Sequence, residues 1–175
     1  DIVRSLRVFS RMDRDALVLA DINECVTSTL MVMKNITSKE VTLSTHLDQA
    51  LPQIHCFPGK LNQVLMNLIS NTVHATRMEG RSIEDRIVEV KTLRENDCIK
   101  IVVKDNGIGM KEEVRKKIFD PFFTTKQVGE GTGLGLSIVL GIVQEHGGEI
   151  QIDSEWNKGT SFTLSLPINA HHSNL

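Results

Sequence analysis

Gly129, Gly131, Gly133 and Gly135 alternate along the chain, and an apolar segment from Leu136 to Val143 follows at once. Glycine loses more backbone freedom on folding than any other residue, about 1 kcal/mol relative to alanine inside a helix. Four in alternation exclude a regular element and read as a soft loop that opens a helix over roughly 134–146. The first N–H groups of a helix have no partner within it, and the helix dipole places its positive end there. Such a junction seats an anion, phosphate above all. Lys126, just before the loop, adds a full positive charge. A flexible loop without a ligand would leave the cost of the glycines unexplained. A Walker loop is excluded, because Gly135 is followed by Leu136 rather than Lys-Ser/Thr. A dinucleotide fingerprint is excluded by the preceding segment and by the lack of a suitably placed acid.

Two further segments carry chemistry. Asp105-Asn-Gly-Ile-Gly-Met110 follows the β-branched run 98–104 directly. An aspartate at a strand end can accept a hydrogen bond from an exocyclic amine, which adenine offers and guanine replaces with a carbonyl. A plain turn accounts equally well for Asp-Asn-Gly. Leu61, Val64, Leu65, Leu68, Thr72 and Ala75 form one stripe of a helix over roughly 60–77, and Asn67, Asn71 and His74 border that stripe. Carboxamide oxygens in register can ligate Mg²⁺, which takes its other ligands from water and nucleotide phosphates. Asparagines that merely border a buried face are the competing reading. Between Met110 and the glycine run lies Phe119-Asp-Pro-Phe-Phe-Thr-Thr-Lys126, which holds three of the chain's six phenylalanines and can anchor one end of a mobile loop.

The net charge of −2 supplies no general attraction for nucleic acid or anionic membrane, so local features must hold any anion. A length of 175 residues, 40% of them hydrophobic, suits one domain with a real core. No apolar run approaches the roughly 20 residues of a membrane span. Cys25, Cys56 and Cys98 lie far apart without ligand spacing and read as reduced thiols used as small hydrophobes. Asp21 is the expected N-cap of a helix running to about Lys39, with Glu24 at the capping-box position. Alternation predicts strands at 41–48, 53–57, 87–93, 98–104, 149–155 and 160–166, with turns at Glu95-Asn96-Asp97 and Asn157-Lys158-Gly159 and a short polar helix over 111–118. Ile2, Leu6 and Phe9 mark a helical stub, and the start at Asp1 rather than Met leads us to expect a piece of a longer protein. The pattern predicts an α+β fold, a two-layer α/β sandwich of three main helices on one face of a mixed sheet of five to six strands.

In order, these segments resemble the ATP-binding domain of sensor histidine kinases, within the gyrase and histidine-kinase ATPase superfamily. Asn67-Leu-Ile-Ser-Asn71 is similar to the N box, Asp105 to Gly109 to the first glycine box, Phe119 to Lys126 to the F box, and Gly131-Thr-Gly-Leu-Gly135 to the second glycine box. Lys158-Gly159-Thr160 resembles the last glycine turn. The resemblance implies a Bergerat-type ATP-binding fold over residues 15–167, with residues 1–14 the end of a dimerisation helix and 168–175 a flexible tail. It implies ATP and Mg²⁺ as cofactors, Asn71 as metal ligand, and Asn67 and Lys126 as the residues serving the transfer. Asp105, with Gly107, Gly109 and Thr160, would read adenine. Gly131, Thr132, Gly133, Leu134 and Gly135 belong to a lid over 124–135 that, with Lys126, would hold phosphates. His74 stands where many relatives have Lys or Arg, and an ordinary imidazole (pKa about 6.5) is mostly neutral at pH 7.

Relatives that hydrolyse ATP carry a glutamate four residues before the metal-binding asparagine; here Asn67 stands there and cannot accept a proton. The resemblance therefore implies transfer to a histidine on a separate dimerisation hairpin. None of His46, His55, His74, His146, His171 or His172 is followed by an acidic residue in the manner of an acceptor, so a surface or capping role is expected for each. The implied partners are that hairpin and a response regulator, in a homodimeric parent. The fragment itself would be cytoplasmic without membrane contact, whether or not the parent is anchored. An anti-sigma-type serine/threonine kinase and a regulatory ATP-binding module without transfer are the alternatives.

Overall fold

Asp21 starts the first described helix as its sequence predicts: the carboxylate accepts the Asn23 N–H at 2.7 Å. The computed structural model describes residues 16–77, 82–126 and 131–169, and this helix is α1, Ile22–Glu40. It buries Ile22, Cys25, Val26, Thr29, Met33 and Thr37, one stripe at helical spacing. Val41 ends it in extended backbone, its N–H still bonded to the Thr37 carbonyl at 2.9 Å. Helix α2, Pro58–Ala75, begins two residues earlier than the pattern suggests, with Pro58 in the first turn where its missing N–H costs nothing. It buries Leu61, Val64, Leu65, Leu68, Ile69, Thr72 and Val73. The expected polar helix shrinks to α3, Glu112–Arg115, which buries no residue and so has nothing to extend it. Helix α4, Gly135–Glu145, follows the glycine loop.

The described strands are β1 Val18–Ala20, β2 Thr42–Leu47, β3 Ile54–Cys56, β4 Ile87–Glu95, β5 Cys98–Asp105, β6 Glu149–Glu155 and β7 Gly159–Pro167. Five form one sheet in the order β2-β4-β5-β7-β6, with β2 parallel to β4 and every other pair antiparallel. The sixth strand expected from sequence, β3, leaves that sheet and pairs antiparallel with β1, a three-residue strand too short to alternate visibly. Asn96 (φ 53°) and Asn157 (φ 64°) take the left-handed conformations that the two hairpin turns need. Helix α2 lies over β5 and its neighbours β4 and β7, between α1 and α4. The α+β sandwich with helices on one face is thus present. The helical stub expected at 1–12 and most of the tail lie outside the described residues.

Strand register explains where the core stops. Val90, Val103, Phe162 and Ile152 face each other across β4, β5, β7 and β6, all pointing under the helices. Thr92, Ile101, Leu164 and Ile150 make the row on one side. The row on the other side reads Val88, Asp105, Thr160 and Ser154: an apolar face turned polar at its end. Asp105 and Thr160 are nonetheless buried. Buried polar groups of this kind are stabilised only by partners, and they mark a site.

Candidate nucleotide-binding site

The carboxylate of Asp105 is fixed by its own loop and by the neighbouring strand. Its Oδ1 accepts the Gly107 N–H at 2.8 Å and the Thr160 N–H at 3.3 Å. Thr160 is steadied in turn by Ser154, whose hydroxyl lies 2.9 Å from the Thr160 hydroxyl. The Ser154 hydroxyl also accepts the Met110 N–H at 2.9 Å. Asn106 ties the loop to the start of β4: its side-chain oxygen accepts the Ile87 N–H at 2.9 Å, and its amide donates to the Asp85 carbonyl at 2.8 Å. The turn chemistry of Asp-Asn-Gly is therefore real, and it aims the aspartate.

Glycines here serve close backbone contacts. A Cβ on Gly107 would stand 2.3 Å from the Ala75 carbonyl oxygen, which also accepts the Ile108 N–H at 3.0 Å. A Cβ on Gly109 (φ 65°) would stand 2.0 Å from the Glu155 carbonyl oxygen, and one on Gly159 2.1 Å from the Asp105 carbonyl oxygen. The space beside Gly107 and Gly109 is filled by α2 and the β6–β7 turn. These glycines clamp Asp105 between two elements.

One turn before Ala75 on the half-buried border of α2, Lys126 Nζ donates to Asn71 Oδ1 at 3.2 Å. A cation thus already sits on the oxygen that the resemblance assigns to a metal. Asn67, one turn earlier, faces the start of α4: its Oδ1 would lie 3.5 Å from a Cβ on Gly135. His74 is half-buried in the last turn of α2. Asn67, Asn71 and Ala75 follow at four-residue steps, ~6 Å of helix each. One helix border therefore joins the Lys126–Asn71 contact to the clamp on Asp105.

The glycine loop docks on the phenylalanine segment. Phe122 donates its N–H to the Gly133 carbonyl at 2.9 Å, and a Cβ on Gly133 (φ 68°) would stand 2.3 Å from the Phe122 carbonyl carbon. Phe122 itself has φ 68°, a strained value for a bulky residue, although it is 74% exposed. Thr124 Oγ1 accepts the Lys126 N–H at 3.1 Å and packs where a Gly131 side chain would be, 2.9 Å away. Thr132 Oγ1 accepts the Leu134 N–H at 3.3 Å. Leu134 is the N-cap of α4 and, among the described residues, makes no side-chain capping bond, and Gly135, the first residue of α4, lies beside Asn67. The oxygen of Asn71 under a cation and a helix start beside Asn67 offer acceptors and donors that fit a metal–triphosphate.

The family description "Histidine kinase-, DNA gyrase B-, and HSP90-like ATPase" matches residues 58–170. The chain belongs to this family. Within it, the likeness is to sensor histidine kinases. The chain is 39% identical over 155 residues to the sensor histidine kinase ZraS of Escherichia coli (strain K12), covering 88% of this chain and 32% of that one. It is 40% identical over 128 residues to sporulation kinase E of Bacillus subtilis (strain 168), covering 73% and 16%. It therefore spans about a third or less of the curated relatives it matches. The nucleotide-free catalytic domain of histidine kinase ThkA superposes with a TM-score of 0.75 at 28% identity, covering 87% of this chain and 96% of that one. ThkA solved with the response regulator protein TrrA shares the fold, with a TM-score of 0.72 at 22% identity over 96% of this chain and 47% of that one. The domain is thus an ATPase-family catalytic domain of the histidine-kinase type.

Sequence alone does not reveal Ser154 or the Ala75 carbonyl, whose parts depend on strand register and on a backbone contact that no spacing discloses. Of the surface or capping role expected for His146, the capping part is found and only the surface part is not. His146 does end α4, but its ring is buried: Nδ1–H donates to the Ile142 carbonyl at 2.7 Å and Nε2 accepts the Phe57 N–H at 3.0 Å. That pairing fixes a neutral imidazole with its proton on Nδ1.

Proposed function

We propose that the domain binds Mg·ATP along the border of α2 and presents the γ-phosphate to a histidine on a separate dimerisation hairpin. The Lys126–Asn71 contact carries this reading: Asn71 Oδ1 is aimed to take a cation, within one helical border of the buried Asp105. In this reading Asp105 Oδ2 accepts the adenine amine while Oδ1 stays with Gly107 and Thr160. Asn71 is the one protein ligand of Mg²⁺, and Asn67, Lys126 and the α4 N–H groups hold the phosphates. Mg²⁺, when bound, neutralises the charge on the phosphate oxygens and so lowers the barrier to transfer. Gly131 to Gly135, anchored through Phe122, close over the nucleotide; His74 borders it. The side chain of Asn67 has no proton-accepting group of the kind a hydrolytic base requires, which favours transfer over fast hydrolysis. The match to sensor kinases, and the response regulator in the ThkA–TrrA structure, support a histidine hairpin and a response regulator as the partners; in the same proposal the parent is a homodimer and this domain lies on the cytoplasmic side.

The test is transfer of radiolabel from ATP to a supplied dimerisation hairpin. Acid-labile phosphate on its histidine is expected with the wild-type domain, and none with Asn71→Ala, which should also abolish the Mg²⁺-dependent part of ATP binding. Tight Mg·ATP binding without acid-labile phosphate would sink the transfer reading; a phosphoserine product would indicate the serine/threonine class. An Asn71→Ala titration curve identical to wild type would sink the assigned site.

A further inference from the structure

Trp156, the chain's one tryptophan, lies exposed in the β6–β7 turn, a place that turn chemistry usually gives to polar residues or glycine. Lys111 Nζ stands over its ring, 4.9 Å from the centroid. A cation at that distance is attracted by the negative face of the indole. Lys111 follows the loop 105–110 directly and is the N-cap of α3. The contact therefore joins the far end of the Asp105 loop to the tip of a hairpin.

The same two segments meet at three further points. Asn157, at φ 64°, donates its N–H to the Ile108 carbonyl at 2.6 Å, and the Ser154 hydroxyl accepts the Met110 N–H at 2.9 Å. The Glu155 carbonyl oxygen fills the space that a Cβ on Gly109 would need. Gly107 and Gly109 give the loop little stiffness of its own, so its position follows what holds it. The hairpin that holds it is supported from one side, because β6 is the edge strand of the sheet and pairs with β7. Asp105 feels any shift between the two. Its Oδ1 is bonded to Gly107 in the loop and to Thr160 just past the turn, so moving loop against hairpin moves the carboxylate.

We propose that Lys111 and Trp156 are a positioning pair for base recognition: their contact pins the β6–β7 turn against the 105–110 loop and so sets where Asp105 meets an adenine base. The inference rests on the proposed Mg·ATP site and adds to it two residues that lie outside the ordered glycine motifs. Losing the contact loosens the loop without removing any group that binds the nucleotide. Discrimination between bases is then what suffers, because adenine and guanine differ at the atom that Asp105 reads.

The experiment titrates Mg·ATP and Mg·GTP into the whole 175-residue chain by calorimetry. Lys111→Gln is expected to lower ATP affinity about two- to fivefold, the worth of one exposed cation–ring contact, and to leave GTP affinity near its wild-type value. Trp156→Ala should do at least as much. The double variant should fall no further than Trp156→Ala, because either change removes the shared contact. Lys111→Arg and Trp156→Phe keep a cation over a ring and should restore the affinity. Without nucleotide, hydrogen exchange at the Met110 and Asn157 N–H groups should quicken in Lys111→Gln while β4 and β5 keep their rates. Both side chains are exposed, so the variants are expected to fold, and circular dichroism checks this. Unchanged ATP affinity in Lys111→Gln and Trp156→Ala, equal losses for ATP and GTP, or losses that multiply in the double variant would overturn the proposal. Failure of the ATP reading looks different: the wild-type chain then binds neither nucleotide, or binds both with Asp105→Asn making no difference, and the proposal falls with it.

Discussion

In the proposed reading Asp105 serves fold and ligand with different oxygens. Its Oδ1 accepts two backbone N–H groups, so Asp105→Asn can keep both bonds through the amide oxygen. The amide NH₂ then replaces Oδ2 and meets the adenine amine donor to donor. Losing a charge-assisted hydrogen bond of about 1.5–3 kcal/mol predicts a drop in ATP affinity of roughly 10–100-fold. GTP, which offers a carbonyl at that position, should lose less or gain. Parallel titrations with ATP and GTP decide this; equal losses would remove Asp105 from base recognition. His146 makes the complementary case of a buried residue with no part in holding a ligand. In His146→Leu the Phe57 N–H loses its acceptor, at a cost of about 1–3 kcal/mol. Urea unfolding should register that loss, and an unchanged midpoint would show that the ring bond contributes nothing. Asp105 is legible in the sequence through its position at a strand end. The burial of the His146 ring is not, because one of its two partners, the Phe57 N–H, comes from a distant segment.

At the scale of elements, glycine divides into positions the fold needs and positions it tolerates. A side chain on Gly107 would collide with the Ala75 carbonyl and separate the Asp105 loop from α2. Gly107→Ala should therefore weaken ATP binding at least tenfold while the five-stranded sheet remains intact by circular dichroism. Gly141 is exposed within α4, and a Cβ added there would meet nothing within 4 Å. Gly141→Ala should raise stability by about 0.5–1 kcal/mol and leave binding unchanged. Thermal melts and titrations of the two variants separate clamp from filler; a destabilised Gly141→Ala would show that α4 needs flexibility there. The principal helices are legible from apolar periodicity and, for α1, from Asp21 at its start, whereas Pro58 lies inside α2, ahead of the start near residue 60 that the pattern suggests. The strands of the main sheet are legible from alternation. Sequence cannot show that β3 deserts that sheet, since three residues carry no period, nor that α3 stays short without a buried face. The ordered boxes name the site's components, whereas the polar row of Asp105, Thr160 and Ser154 exists only through register.

Across the whole molecule, the proposed nucleotide site gathers elements that otherwise touch weakly. The β5 loop reaches α2 through Ala75, the loop before α4 reaches the Phe122 segment through Gly133, and Lys126 reaches α2 through Asn71. Each of these contacts involves one or two hydrogen bonds, while the sheet and the α1–α2–α4 layer share the buried core. A ligand bound by all of them should stabilise the native state by RT ln(1 + [L]/Kd), about 2.7 kcal/mol at a hundredfold excess over Kd. Hydrogen exchange should show where. Added Mg·ATP is expected to slow exchange at 105–110, 122–126 and 131–138 and leave the β6 edge near its free rate. ATP with a chelator in place of Mg²⁺ should protect 105–110 most, because the proposed contact between Asp105 and adenine needs no metal. Protection spread evenly over the core, or equal with and without Mg²⁺, would mean that Asn71 and the α4 start do not act as one phosphate site.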